Sequence, residues 1–168
     1  NANYYAKVQA DEDYFILFMD NAKAFDSIHH DFILAVLSKQ GFPVWFVNAV
    51  SNLLTAVNVS PSLAPDFVIN IKRGVKQGCP LSPTLFILLM DVLHDMIACT
   101  TKVHIRLYAD DVAIGAKNLI PYLPALKRCF HIFAKATGLH LNAAKTVFVA
   151  TGGRSQLRSA LDINGWSD

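Results

Sequence analysis

Two adjacent carboxylates, Asp110 and Asp111, close an apolar strand in the run Tyr108-Ala109-Asp110-Asp111. Before them stands Val103-His104-Ile105-Arg106-Leu107, apolar at its odd positions; after them Val112 and Ile114 resume the alternation in the other phase. A period of two marks each arm as a strand with one buried face. The switch of phase predicts a hairpin turn at Asp110-Asp111. Two ionised groups beside a hydrophobic sheet repel each other and lose hydration, so they call for a counter-charge. A bound divalent metal supplies one, but Asp-Asp also favours tight turns for ordinary reasons. The pair alone leaves both readings open.

The rest of the chain narrows them. At 168 residues it suits one domain with a substantial core. Apolar residues make up 53% and charged residues 17%, an excess that predicts surfaces covered by further chain. A net charge of +2 is too small to argue nucleic-acid binding from charge alone. The three cysteines, Cys79, Cys99 and Cys129, form no CxxC pair. They support neither a disulfide framework nor a zinc site, and a reducing compartment fits them best. His29-His30 has no further His or Cys at ligand spacing, which argues against zinc there. The apolar run Thr84 to Met90 is cut by Asp91, His94 and Asp95 and falls short of the ~20 residues of a membrane span. The opening Asn1-Ala2-Asn3 and the close at Gly165-Trp166-Ser167-Asp168 read as those of a fragment.

Along the chain, residues 4–10 read as a helix end and Asp11-Glu12-Asp13 as a solvated turn. Tyr14 to Met19 is a continuous apolar run ending at Asp20, the pattern of a strand buried on both faces. Phe32, Ile33, Val36 and Leu37 recur at helical spacing with Gly41 as the stop, and a second helix is expected from Pro43 through Leu54. Asn58 to Pro65 reads as loop and Phe67 to Ile71 as a strand. Ser82-Pro83 signals a helix start, with the hydroxyl as N-cap. That helix is apolar around much of its circumference, so it is expected to be central. Asp91 and Asp95, at i,i+4, mark its wet side. After the hairpin come a helix from about Pro121 to Thr137, closed by Gly138, and a strand from Thr146 to Ala150. The order predicts an α+β architecture, one antiparallel-rich sheet backed by helices.

If the Tyr14–Met19 strand pairs beside the hairpin, Asp20 and Asp110 converge at one sheet edge. Phosphoryl transfer uses such a cluster to hold two Mg²⁺ ions ~3.5–4 Å apart, and Mg²⁺ prefers a few carboxylates plus substrate phosphates. In Gln77-Gly78-Cys79-Pro80-Leu81-Ser82-Pro83, glycine permits close backbone approach and the helix start favours a phosphate or polar ligand. Lys72, Arg73 and Lys76 just upstream form a basic cluster suited to a nucleic-acid backbone. Gly138 to Thr146 forms a turn that brings Lys145 to the start of a strand.

Four stretches in this order resemble the palm of reverse transcriptases: Phe18 to Asp26, Arg73 to Pro83, Tyr108 to Asp111, and Gly138 to Thr146. The KAFD, QGCPLSP and YADD wording is similar to the non-LTR retrotransposon branch. The resemblance covers nearly the whole chain and implies an RNA-directed DNA polymerase domain over residues 1–168. Only a remnant of the fingers, residues 1–13, would be present. The primer grip and thumb would lie beyond Asp168, with no endonuclease, and such a fragment alone would polymerise poorly. The implied partners are an RNA template, a DNA primer, deoxynucleoside triphosphates and the rest of a larger polyprotein, with no membrane. The implied setting is a nuclear and cytoplasmic ribonucleoprotein.

The resemblance also implies roles. Asp20 and Asp110 would be the principal ligands of two Mg²⁺ ions (Mn²⁺ as substitute), with Asn21 beside them and Asp111 in looser contact. The backbone of Asn21, Ala22, Lys23 and Ala24 would face the triphosphate. Phe25 would be a steric gate that excludes a 2′-hydroxyl, Gln77 and Gly78 would border the nucleotide, and Arg73 and Lys76 would contact the template or its backbone. Lys145 would protonate the pyrophosphate leaving group. Plainer readings stand beside these. By composition alone Phe25 is core, Lys145 an exposed strand-end lysine, Arg73 and Lys76 solvated loop charges, Asp26 a structural helix-start residue and Cys79 a packing residue. A fold of this kind that binds RNA or protein without catalysis, and a decayed element copy, are the competing functions. Loss of the aspartates would have announced the first, and they are present.

Overall fold

The apolar run at the start of the chain becomes the central strand of a four-stranded antiparallel sheet. The computed structural model describes residues 14–22, 24–55, 58–59, 69–142 and 145–150. The expected helix end at 4–10 and turn at 11–13 lie outside them, as does Lys23. Strand β1 (Phe15–Met19) is followed by the two-residue β2 (Asn21–Ala22), a short helix α1 (Ala24–Ser27), α2 (His30–Lys39) and α3 (Val44–Thr55). Then come β3 (Asn58–Val59), β4 (Ile69–Asn70), the long α4 (Ser82–Thr100), and the hairpin β5 (His104–Tyr108) and β6 (Asp111–Ala116). A 3₁₀ turn (Ile120–Tyr122), α5 (Leu123–Thr137), β7 (His140–Leu141) and β8 (Val147–Ala150) complete the order.

The main sheet runs β5-β6-β1-β8, every neighbouring pair antiparallel. Ile105 faces Ile114, Ile114 faces Leu17, and Leu17 faces Phe148, so one apolar row crosses all four strands. This is the phase switch of the hairpin realised in space, because odd positions of β5 and even positions of β6 share a face. Phe15, Leu17 and Met19 are buried together with Leu85, Phe86, Leu89 and Leu93 of α4 and Leu126, Phe130 and Phe133 of α5. The other face is more open: Phe18 is 46% exposed and its partner Val147 53%. β1 is therefore not buried on both faces, as its unbroken apolar run predicted.

Several local expectations shift. The Tyr108↔Asp111 pairing puts Ala109 and Asp110 at the centre of the hairpin turn, and Asp111 opens β6. Ser82 is not an N-cap. It is already helical, and its hydroxyl donates to the Lys76 carbonyl at 2.7 Å, closing the loop before α4. Asn58–Val59 is a strand paired with Ile69–Asn70, whereas Ile71 is not. The ladder β2–β7, Asn21↔Leu141 and Ala22↔His140, had no counterpart in the sequence pattern.

α4 runs 19 residues, past Asp91, His94 and Asp95, and is by length and composition apolar enough to cross a membrane. The charges did not end it because Asp91 and Asp95 lie exposed on its outer side while Leu85, Phe86, Leu89, Leu93 and Ile97 are buried in the core. α5 ends as predicted, with Gly138 at φ +82° capping it.

The Gly74 region is clasped against the α1–α2 junction. Gly74 N–H donates to Ile28 O and Val75 N–H to Phe25 O, each at 2.7 Å, and the His30 Nε2–H donates to Gly74 O at 2.8 Å. Gly74 has φ +84°, and a Cβ there would stand 2.9 Å from the Asp26 backbone. This clasp puts the loop that carries Gln77 beside Phe25.

Candidate active site

Asp20 leaves the sheet at the end of β1, one residue beyond the buried Met19. Its side chain is 20% exposed and accepts a 2.9 Å ion pair from the Lys145 ammonium. Its carbonyl accepts from the Asn142 N–H at 2.9 Å, and Lys145 N–H and the Thr146 hydroxyl both donate back to Asn142 O at 3.1 Å. The Gly138–Thr146 segment thus wraps the end of β1 and delivers Lys145 to it. On the other side, the Asn21 amide donates from Nδ2 to the Asp110 carbonyl at 2.9 Å.

A cleft of about 500 Å³ opens there, lined by Asp20, Asn21, Ala24, Phe25, Asp26, Gln77, Asp110, Asn142 and Lys145. Phe25 is half-buried, its ring tilted at 30° against Phe86 behind it with centroids 4.7 Å apart, and it lines the cleft as well. It is core and cleft wall at once. Gln77 crosses the opening to Asp26, its Nε2–H donating to Oδ1 at 3.3 Å. A second recess of about 380 Å³ holds Asp111 with Arg106, Tyr108, Phe18 and again Asp20 and Lys145. Asp20 and Lys145 therefore stand between the two carboxylates of the hairpin, Asp110 toward one recess and Asp111 toward the other.

The Lys145 pKa is raised, first by its hydrogen bond to Asp20, then by the Asp20 charge, with Asp110 and Asp111 adding in the same direction. All three carboxylates thus act on one cation. Among the described residues no three His, Cys, Asp or Glu side chains are grouped as ligands of one ion. The donor chemistry still suits a hard divalent cation, since Asp20 and Asp110 offer carboxylate oxygens to one cleft and the ammonium on Asp20 marks where positive charge is stabilised.

Other residues singled out in the sequence fall beside the cleft. Arg73 and Lys76 line a neighbouring recess of about 430 Å³ with His30, Leu53, Leu54 and Val75, sharing Asp26 and Gln77 with the cleft. Gly78 is exposed at φ +85° with open space around it, so the turn alone accounts for its glycine. The Cys79 thiol pKa is lowered, chiefly by a backbone hydrogen bond from Leu81. Ala22 contributes its backbone to β2. Asn142 was missed as a wall of the cleft, although it lies inside the Gly138–Thr146 block. Asp26, read as structural, also faces the cleft.

The sequence as a whole matches a known domain, described as reverse transcriptase (RNA-dependent DNA polymerase), over residues 4–159. The chain belongs to the reverse transcriptase family. Within it, the relatives are retrotransposon polyproteins of the non-LTR kind. The chain is 31% identical over 156 residues to the retrovirus-related Pol polyprotein of the type-1 retrotransposable element R2 of Popillia japonica, covering 83% of this chain and 22% of that protein. It is 33% identical over 151 residues to the polyprotein of the type-2 element R2DM of Drosophila melanogaster, covering 83% and 14%. The transposon TX1 149 kDa protein of Xenopus laevis is 28% identical, covering 77% of this chain and 11% of its own length. The chain thus spans less than a quarter of these relatives. Among solved structures, telomerase of Candida tropicalis, in complex with a fragment of telomeric RNA, superposes with a TM-score of 0.72 at 12% identity, over 92% of this chain and 29% of that one. At that identity the likeness is one of fold, and together with the family match it fits the sheet and its helices to an α+β reverse transcriptase palm.

Proposed function

We propose that this domain carries the RNA-directed DNA polymerase active site of a non-LTR retrotransposon polyprotein, joining a deoxynucleoside triphosphate to a primer 3′-hydroxyl on an RNA template. The observation that carries the reading is the convergence of Asp20, Asp110 and Lys145 at one cleft walled by Phe25 and Gln77. Asp20 and Asp110 would hold two Mg²⁺ ions, with the Asn21 backbone beside them and Asp111 as an outer carboxylate. Bound there, such ions would supply Lewis-acid activation of the attacking hydroxyl and charge neutralisation at the phosphates.

The remaining work falls to the chain. Phe25 is braced from behind by Phe86, so it can wall the sugar site without yielding. Gln77 and the backbone of Asn21, Ala22 and Ala24 border the nucleotide, with Gly78 at the edge. Arg73 and Lys76 lie one recess away, where a template backbone would run alongside. The Lys145 ammonium, protonated at neutral pH like any lysine, can give its proton to the departing pyrophosphate once it leaves the Asp20 contact that raises its pKa. The primer, template and remaining polyprotein are the partners this chemistry requires.

Electron paramagnetic resonance of Mn²⁺ with a deoxynucleoside triphosphate tests this directly. The native chain should bind the ion, and the Asp20→Asn/Asp110→Asn pair should lose it. In a polyprotein long enough to extend a primer on an RNA template, extension unchanged by Asp110→Asn would sink the reading.

A further inference from the structure

We propose that the Asn21 side chain is a positioning residue that sets where the Asp110 carboxylate stands; the functional half of this inference rests on the polymerase reading above. Asn21 is 5% exposed, one of the few buried polar side chains among the described residues. A buried amide needs a partner, and this one reaches across 89 positions of sequence to the Asp110 carbonyl at 2.9 Å. The orientation follows from chemistry. Only the NH₂ group can face a carbonyl, because two acceptors would repel. The donor is thereby committed to Asp110.

The acceptor it holds is at the tip of the hairpin. Ala109, just before it, has φ +51°, the left-handed region, the one non-glycine residue with positive φ among those described. L side chains adopt that conformation at a cost, and the two-residue turn persists there only if tertiary structure over-determines it. The Asn21 amide is such a tie. It also starts from a fixed base. The Asn21 backbone pairs with Leu141 in β2–β7, and the adjoining Asp20 carbonyl accepts from Asn142 N–H at 2.9 Å. One residue thus joins the end of β1, the Lys145-bearing segment and the hairpin tip. The separation of Asp110 from Asp20 is then governed by a side-chain bond as well as by the β1–β6 ladder, which ends at Met19↔Val112.

The test uses two readouts on the full 168-residue chain. The first is hydrogen exchange of the 107–112 segment without metal, in the native chain and in Asn21→Leu, which keeps the branched shape at a larger volume but has no donor. The second is Mn²⁺ binding in the presence of a deoxynucleoside triphosphate. The expectation is faster exchange confined to the hairpin tip and Mn²⁺ affinity lowered about five- to tenfold, the worth of one net hydrogen bond. Adding Ala109→Gly, which removes the cost of positive φ, should recover part of the affinity. Unchanged exchange in Asn21→Leu overturns the inference, and so does faster exchange with affinity equal to native. If the native chain binds no Mn²⁺ while the tip still loosens in the variant, the polymerase reading fails and the anchor stands. Should Asn21→Leu not fold, Asn21→Asp repeats the exchange measurement with the same shape. It sets two acceptors face to face, and protection at the tip equal to native would refute the bond.

Discussion

Gly41 and Gly74 have nearly the same backbone conformation, φ +82° and +84°, in very different surroundings. An added Cβ at Gly41 meets nothing within 4 Å, whereas at Gly74 it lands 2.9 Å from Asp26 Cα, Asp26 O and Phe25 O. Gly41→Ala therefore carries only the left-handed cost of an L side chain, about 1–2 kcal/mol. Gly74→Ala carries that plus an overlap with backbone that cannot swing aside, about 1–3 kcal/mol more. The total is about 2–5 kcal/mol, a large share of a typical domain's stability. Urea unfolding of both variants isolates the second term as the difference of midpoints at equal slope. The overlap has a functional direction as well. The atoms it pushes belong to Phe25 and Asp26, which line the cleft. Gly74→Ala should weaken deoxynucleotide binding even below its unfolding transition, and Gly41→Ala should not. If the two variants fall within about 0.5 kcal/mol of each other, the clasp between this loop and the α1–α2 junction does not exist as described.

Substitutions at three further residues probe the site and its support. Lys145→Gln removes the ammonium from Asp20, so Mn²⁺ should bind at least as tightly while kcat for primer extension falls about 10²-fold or more; weaker metal binding would contradict the ion pair. The same pair sets a pH dependence. Because the folded pKa of Lys145 is raised above its ordinary 10.5, its stabilisation is complete below that value and is lost as pH climbs through the folded one. The stability gap between native chain and Lys145→Gln should therefore hold at neutral pH and close only in strong alkali, as urea titrations across pH would reveal. His30→Leu, which deletes the donor to Gly74 O, should raise KM for the nucleotide about fivefold, the scale of one hydrogen bond. His30→Gln, with an amide at a similar reach, should restore it. Leu17, fully buried at the centre of the sheet, should lose about 2–5 kcal/mol on replacement by alanine, with the deoxynucleotide KM of the remaining folded fraction unchanged.

What could be read in advance follows a physical divide. The hairpin, the helices at 30–39, 44–55 and 123–137, and the last strand all announce themselves through periodicity and glycine stops, signals a single chain carries locally. The ladders β2–β7 and β3–β4 are two residues each and have no period to detect. The turn was off by one residue because alternation fixes the faces of the arms but not which two residues bridge them. Ser82 misled for a related reason, since a hydroxyl at a helix start can satisfy a distant carbonyl as readily as its own first turn. In the site, Asp20, Asp110 and Lys145 were legible as blocks in a familiar order. The amide of Asn21 was not. A bond across 89 positions leaves no trace in neighbouring residues.

That divide bears on how the cleft behaves. The sheet beneath it is held by the apolar row Ile105, Ile114, Leu17 and Phe148, packed on α4 and α5. The cleft is held by single polar ties: Lys145 to Asp20, Asn142 to the Asp20 carbonyl, Asn21 to Asp110, Gln77 to Asp26 and His30 to Gly74. Each of the four hydrogen bonds among them is worth about 1 kcal/mol net, and the solvent-exposed Lys145 pair is screened, against several kcal/mol for a core side chain. Local opening of the cleft therefore lies well below global unfolding in free energy. A ligand that supplies positive charge between Asp20 and Asp110 competes directly with the Lys145 ammonium, while the Lys145 backbone remains bonded to Asn142. The same low-cost rearrangement that admits a cation would thus release the Lys145 ammonium from Asp20 without any change in the sheet.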